Sequence, residues 1–199
     1  MDPITHGVTG SMAALIFSDD DDKKRTAFVG FGAAMLADIE AFIQWPGDPL
    51  FNLEIHRQFT HSLIFIPFGA LIAAGLFWLL FRKHVAFSRL YFFSIAGYST
   101  HWFMDLITSY GTELLWPFID TRFALNIVSV VDPVITVGLL AFASLALFKS
   151  RSLFLPLSWL WLTLFLLLGW AQNNRTESAM TDLAAKRGHN IEDSVVKPT

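Results

Sequence analysis

The sequence predicts an all-α fold, a polytopic membrane bundle of about six transmembrane helices, and three observations predict it. Of 199 residues, 54% are hydrophobic and only 16% charged, and mean hydropathy is +0.50, a balance foreign to ordinary soluble domains. The charges are gathered between uncharged runs such as Gln58 to Phe81 and Ser152 to Asn174, each roughly 23 residues and long enough to cross a bilayer. Polar or Pro/Gly-containing loops separate the apolar stretches, as expected of helix ends.

The first apolar stretch, 2–17, is not read as a secretory signal. A signal peptide begins with a basic region, whereas this one begins with Asp2 and His6, and the first basic residue, Lys23, comes after it. It is expected to be a short, retained helix with a polar first turn, followed by a solvated turn over Ser18 to Arg25 (SDDDDKKR). The other expected helices cover about 26–44, 60–81, 90–108, 127–148 and 153–171. The second contains Asp38 and Glu40, the fourth contains Asp105, and Asp132 sits near the start of the fifth. Residues 1–171 thus read as one membrane domain, and 172–199 as a polar tail with a short helix over Glu177 to Arg187.

Charge narrows the partners and sets an orientation. With 14 Lys plus Arg against 17 Asp plus Glu, no basic surplus exists to hold a nucleic-acid backbone. The absence of Cys excludes disulfides, thiolate metal ligands and a cysteine nucleophile. Loops at 18–25, 82–89 and 149–152 hold eight basic residues: Lys23, Lys24, Arg25, Arg82, Lys83, Arg89, Lys149 and Arg151. The opposite loops hold only Arg57 and Arg122. Basic residues favour the cytoplasmic side, so both termini and the loops 45–59 and 109–126 are expected outside a cytoplasmic membrane.

An ionisable group inside a hydrocarbon segment costs roughly several kcal/mol and marks a functional site by default. Such groups gather here on the lightly basic side: His6; Asp38 and Glu40; His56, Arg57, Thr60, His61 and Ser62; His101, Asp105 and Thr108; and Asp132. His101 and Asp105 are four residues apart, which puts them on one helix face with Cβ atoms about 6 Å apart, a usual pair of ligands for a divalent metal. Taken alone, that pair is equally a hydrogen bond on a helix surface, and a lone imidazole is more often a core residue. Asp38 and Glu40, two apart, point to nearly opposite sides of a regular helix, so both serve one site only if the helix unwinds or ends. Glu40 is therefore the doubtful member. Imidazole with carboxylate and no thiolate suits Zn²⁺ or, with several carboxylates, Mn²⁺. The candidate metal ligands are His6, Asp38, Glu40, His56, His61, His101, Asp105 and Asp132. His84 is expected at headgroup level, and Trp45, Trp102, Trp116 and Trp170 in an aromatic belt.

The segments MDPITHG, ADIE, HRQFTHSL and GYSTHWFMDLITSYGTELLWPF, in that order, resemble the YdjM-type membrane-bound metal-dependent hydrolases, a bacterial and archaeal inner-membrane family. The resemblance runs from about residue 1 to about residue 135 and ends in the VVDPV stretch that holds Asp132. It implies that His6, Asp38, His56, His61, His101 and Asp105 occupy metal-binding or catalytic positions, with Arg57 and Thr60 inside the HRxxTHS motif. Where the family often carries Asp, this chain has Glu40, which keeps the charge on a longer arm. The family's distant similarity to zinc-dependent phospholipase C implies chemistry on phosphodiesters. Some relatives continue into a soluble C-terminal domain, so the tail ending VVKPT is expected to be the start of a truncated one.

The expected function is metal-assisted hydrolysis of a phosphoester, on a lipid or another membrane-associated substrate, at the extracytoplasmic side. A divalent ion would lower the pKa of a water, and Asp38 or Asp105 would take its proton. Arg57, with no obvious partner in its loop, would clamp a phosphoryl oxygen, and Thr108 continues the stripe of His101 and Asp105. The alternative is a non-enzymatic membrane protein whose metal is structural or transported. Transport fits poorly, because Phe68 to Leu80, Gly138 to Phe148 and Leu153 to Leu160 hold no ionisable residue to continue a polar path.

Overall fold

The computed structural model of the chain describes residues 1–43, 45–48, 51–189 and 196–198, apart from the side chains of 53 and 54. In chain order the elements are α1 (Pro3–Leu15), α2 (Lys23–Met35) running into a 3₁₀ segment (Leu36–Phe42), and the short α3 (Phe51–Ile55). Two 3₁₀ turns (Phe59–His61 and Leu63–Phe65) then lead into α4 (Ile66–Phe81), followed by α5 (Phe87–Leu106), α6 (Pro133–Phe148) and α7 (Arg151–Lys186). The fold is all-helical, with six helices of 13 residues or more and no strand among the described residues. The part of the expected tail over 190–195 and 199 lies outside the described residues.

Both α1 and α6 begin with Asp-Pro. Asp2 accepts from the backbone N–H of Thr5 at 3.0 Å, and Asp132 from those of Val134 and Ile135 at 2.9 and 3.3 Å. Aspartate caps the free N–H groups of a first turn, and proline, which lacks an N–H, is tolerated there. The two starts are tied together, since Thr136 donates to Asp2 at 3.2 Å and its hydroxyl lies 2.6 Å from that of Thr5. This capping explains why α6 starts at Pro133 and not near 127, as expected from hydrophobicity alone.

Small residues bring α1, α2 and α5 into backbone contact. A Cβ on Gly10 or Gly97 would collide with the carbonyl of Gly30, and one on Gly30 with that of Gly10. Around this seam α1 packs on α2, α5 and α6, so Met12, Leu15, Met104, Ile135 and Leu139 are fully buried. The outer faces of α4, α6 and α7 stay apolar and open, as in Leu79 (67% exposed) and Val137 (64%). Among the described residues two helical stretches are long and apolar enough to cross a membrane, Leu63–Phe81 and Arg151–Lys186, with mean hydropathies of 2.4 and 1.9 over their best windows.

Three further expected helices have different bounds. The second does not run regularly to 44 but tightens into 3₁₀ geometry after Met35, and the third starts at Ile66, with Pro67 in its first turn, not at 60. The last continues unbroken to Lys186, about 54 Å at the usual rise of 1.5 Å per residue. The expected break after 171 and separate short helix are replaced by one helix, because 172–186 contains neither Gly nor Pro to stop it.

Candidate metal centre

Irregular segments deliver Asp38, Glu40, Arg57 and His61 to the centre, and the regular helix α5 delivers His101 and Asp105. In the 3₁₀ segment Leu36–Phe42, residues two apart stand about 120° apart around the axis, against about 160° in an α-helix. Asp38 and Glu40 are thereby turned toward the same ring: Asp38 Oδ1 lies 3.5 Å from His61 Nε2 and Glu40 Oε1 lies 3.1 Å from His61 Nδ1. The helix does unwind at this point, and Glu40, the doubtful member, is fully buried and grips the far side of the His61 imidazole.

Arg57 sits in the left-handed backbone region at φ 62°. For a residue other than glycine this costs of order 1–3 kcal/mol and persists where the surroundings demand it. The conformation lets the backbone N–H of Arg57 donate to Glu40 while its carbonyl accepts from Glu113 N–H at 3.0 Å. It also sends the guanidinium inward: Nη2 lies 3.0 Å from Asp105 Oδ1, Nη1 donates to Thr108 Oγ1 at 3.2 Å, and the Tyr110 ring lies 4.6 Å below. Arg57, expected to find no partner in its own loop, pairs instead with Asp105 of α5. Its spacing of four from His61 is not a helical one, because the chain between them is irregular.

His101 and Asp105 project from one face of α5 as expected, with His101 Nε2 3.4 Å from Asp105 Oδ2. His101 Nδ1 lies 2.6 Å from the carbonyl oxygen of Ala34. A carbonyl only accepts, so the proton of a neutral His101 is on Nδ1 and its Nε2 carries a lone pair. The same reasoning applies to His61. Thr60 spends its one hydroxyl proton on Glu40, so His61 Nδ1, 3.0 Å from that hydroxyl and 3.1 Å from Glu40, is the donor. Two Nε2 atoms thus face each other at 2.8 Å. Two lone pairs at that distance repel unless a proton or a cation lies between them.

The carboxylates complete a donor set. One ligand atom each from Asp38, His61, His101 and Asp105 lie within 4.8 Å of one another, and all but Asp38 are buried. Asp105 Oδ2 is buried and forms no hydrogen bond among the described residues, although the His61 and His101 Nε2 atoms are 3.2 and 3.4 Å away. Its other oxygen is saturated by Arg57, by His6 Nε2 at 3.2 Å and by the Met1 amine. An orphaned carboxylate oxygen beside two opposed imidazole nitrogens is the donor chemistry a divalent ion requires. Oriented ring nitrogens, each with its second nitrogen held by a carboxylate or carbonyl, are the usual support of such sites. The cluster can bind a metal ion.

The remaining expected ligands divide. His6 is fully buried and stacks on His101, with centroids 3.7 Å apart and planes at 12°, so it abuts the four-residue group without entering it. His56 lies 3.6 Å from Glu40 Oε1, and burial, with the His61 ring nearby, pushes its imidazole below its ordinary pKa. Asp132 is not brought to the cluster, because its carboxylate is used to cap α6. The sequence reading missed Tyr98, which donates to the Thr60 carbonyl at 2.7 Å, and Tyr110 beneath Arg57. Both lie inside the GYSTHWFMDLITSYG segment, but neither is an imidazole or a carboxylate, so nothing in the sequence singled them out.

A cavity of about 590 Å³ adjoins the cluster. Asp38, His56 and Arg57 form its polar wall, and Met35, Ile39 and Phe42 its apolar one. Ile39 and Phe42 are 52% and 84% exposed, so this wall reaches the surface of the bundle.

The YdjM inner membrane protein family matches residues 1–176. The uncharacterized protein YfhP of Bacillus subtilis (strain 168) is 25% identical over 148 residues, covering 71% of this chain and 45% of that protein. The chain therefore spans less than half the length of that curated relative. No solved structure matches, and the distant likeness to phospholipase C rests on no match.

Proposed function

Because the chain belongs to the YdjM inner membrane protein family, we propose that it is a membrane-bound, metal-dependent hydrolase that cleaves a phosphoester of a lipid or similar membrane-associated substrate. The observation that carries this reading is the opposed pair of imidazole nitrogens, 2.8 Å apart beside an orphaned Asp105 oxygen, at the edge of an apolar cavity. Asp38, His61, His101 and Asp105 would hold the ion, Zn²⁺ first and Mn²⁺ second by their nitrogen and oxygen donors. When bound, a divalent ion there supplies Lewis acidity toward a water and an ester oxygen.

The chain's own residues then have distinct tasks. Asp38 is the one cluster carboxylate on the cavity wall, with its side chain 25% exposed, whereas Asp105 is sealed. Asp38 is therefore the group to accept a proton from water, and Asp105 orients Arg57 and the imidazoles. Arg57 also lines the cavity, and its buried Nε has no hydrogen-bond partner among the described residues, leaving a donor for a phosphoryl oxygen. Thr108 keeps the guanidinium in place. Met35, Ile39 and Phe42 would lie along an acyl or prenyl chain entering from the side.

Six spans, both termini outside and the site near the outer face complete the proposal. The Lys and Arg distribution supports this orientation, and α2 with its 3₁₀ extension reaches roughly 33 Å, the thickness of a hydrocarbon core. A purely structural metal would be enclosed, and the cavity beside Asp38 favours the catalytic reading over that one. The test is hydrolysis of phospholipids and prenyl phosphates by purified protein, with Asp38→Asn and His101→Ala alongside. Both variants should lose phosphoesterase activity. Activity unchanged in both, or absent from metal-loaded wild type on every phosphoester, overturns the proposal.

A further inference from the structure

The end of the bundle opposite the metal centre holds a second cavity, of about 600 Å³. Three cations stand around it: Lys23 at the start of α2, and Lys149 and Arg151 on either side of the turn into α7. Arg151 is held in place by neutral groups, its Nη1 donating to the Leu15 carbonyl at 3.1 Å, to Ser18 Oγ at 3.0 Å and to the Ser18 carbonyl. The single acid lining the cavity, Asp20, lies 3.5 Å from Arg151 Nε and is 77% exposed, where water screens it. Lys23 and Lys149 pair with no acid among the described residues. Within the lining, three cations face one carboxylate, while Asp21 borders Lys23 on the side away from this cavity.

The wall below this rim is apolar. Leu155, Pro156 and Trp159 of α7 form it, and Trp159 Nε1 is buried without a hydrogen-bond partner. Farther along the same helix, Leu160 and Leu164 are 51% and 55% exposed. A small anion would satisfy the cations yet leave this wall uncovered. A molecule with an anionic head and a long apolar tail covers both, and basic pockets between membrane helices are recurrent headgroup sites.

We propose that this cavity seats the phosphate of an anionic phospholipid between Lys23, Lys149 and Arg151, with its acyl chains along Leu155, Pro156 and Trp159. The inference rests on membrane residence and not on the hydrolase reading. Native mass spectrometry of the purified full chain would measure retention of phosphatidylglycerol against phosphatidylcholine. The double variant Lys23→Gln/Lys149→Gln should bind phosphatidylglycerol roughly 30-fold more weakly, the equivalent of ~1 kcal/mol for each of two basic groups. Arg82→Gln/Lys83→Gln, which removes equal charge at the same end but outside the cavity, should change it less than about threefold, because salt screens exposed charges that do not face the site. Equal losses in both pairs, no preference for phosphatidylglycerol, or its displacement by millimolar inorganic phosphate each overturn the proposal. Metal content should be unchanged in all variants, so failure here is distinguishable from failure at the metal centre.

Discussion

At the metal-centre end of the bundle, Glu40, His61, His101 and Asp105 are at most 2% exposed, and at the other end the side chains of Asp19 and Asp20 are 73% and 77% exposed. Both ends gather charges, but the physics differs. Buried charges must be paired or neutralised, because desolvation costs several kcal/mol for each ion. Each carboxylate of the centre accordingly meets an imidazole, a guanidinium or a hydroxyl from another part of the chain. At the solvated end Asp19 meets Arg89 at 2.8 Å in water, where such pairs are worth about 0–1 kcal/mol. The buried end holds a fixed constellation, and the solvated end a screened and adaptable one.

The sharpest way to break that contrast is to remove a ligand. His101→Ala should reduce bound metal by more than about 100-fold in affinity, read by elemental analysis of purified protein. Retention of wild-type metal would mean that the opposed nitrogens share only a proton. Next in size is Glu40→Gln, which leaves the four donors in place but loosens the far side of His61. Metal affinity should fall about 10- to 100-fold while the metal still binds at saturation; no change in a competition titration with a chelator would demote Glu40 to packing.

Smaller effects separate scaffold from centre. Gly97→Ala forces a methyl group against the Gly30 backbone, and overpacking of this kind costs typically about 1–3 kcal/mol. Thermal unfolding in detergent should show the loss, and a neutral result would mean the three-helix seam can spread. Smallest is Arg89→Ala at the solvated end, expected to cost under about 1 kcal/mol and to leave metal content untouched. A large destabilisation there would show that the two ends are not as different as their exposure indicates.

How much of this was legible beforehand differs by residue. The His101 and Asp105 pair was readable because helix α5 is regular and spacing of four survives into space. The apolar runs likewise foretold α4 and α7. Glu40 was left in doubt because its placement depends on a switch from α to 3₁₀ winding that no periodicity announces. Arg57 was legible as a member of the centre, but its pairing with Asp105 was not, because a left-handed backbone turns it from the loop toward α5. Asp132 looked like a ligand by depth and charge, and the Asp-Pro pattern that makes it a cap was equally visible at Asp2.

Composition and spacing alone establish an apolar helical chain with imidazoles and carboxylates collected toward one end, because burial and periodicity are local properties of the polymer. Which of those groups touch was settled only in three dimensions, by glycine contacts that draw α1, α2 and α5 together and by irregular segments that turn Asp38, Glu40 and Arg57 inward. Contacts between residues dozens of positions apart, such as Ala34 with His101 or Arg57 with Asp105, depend on chain crossing geometry, which no local pattern encodes.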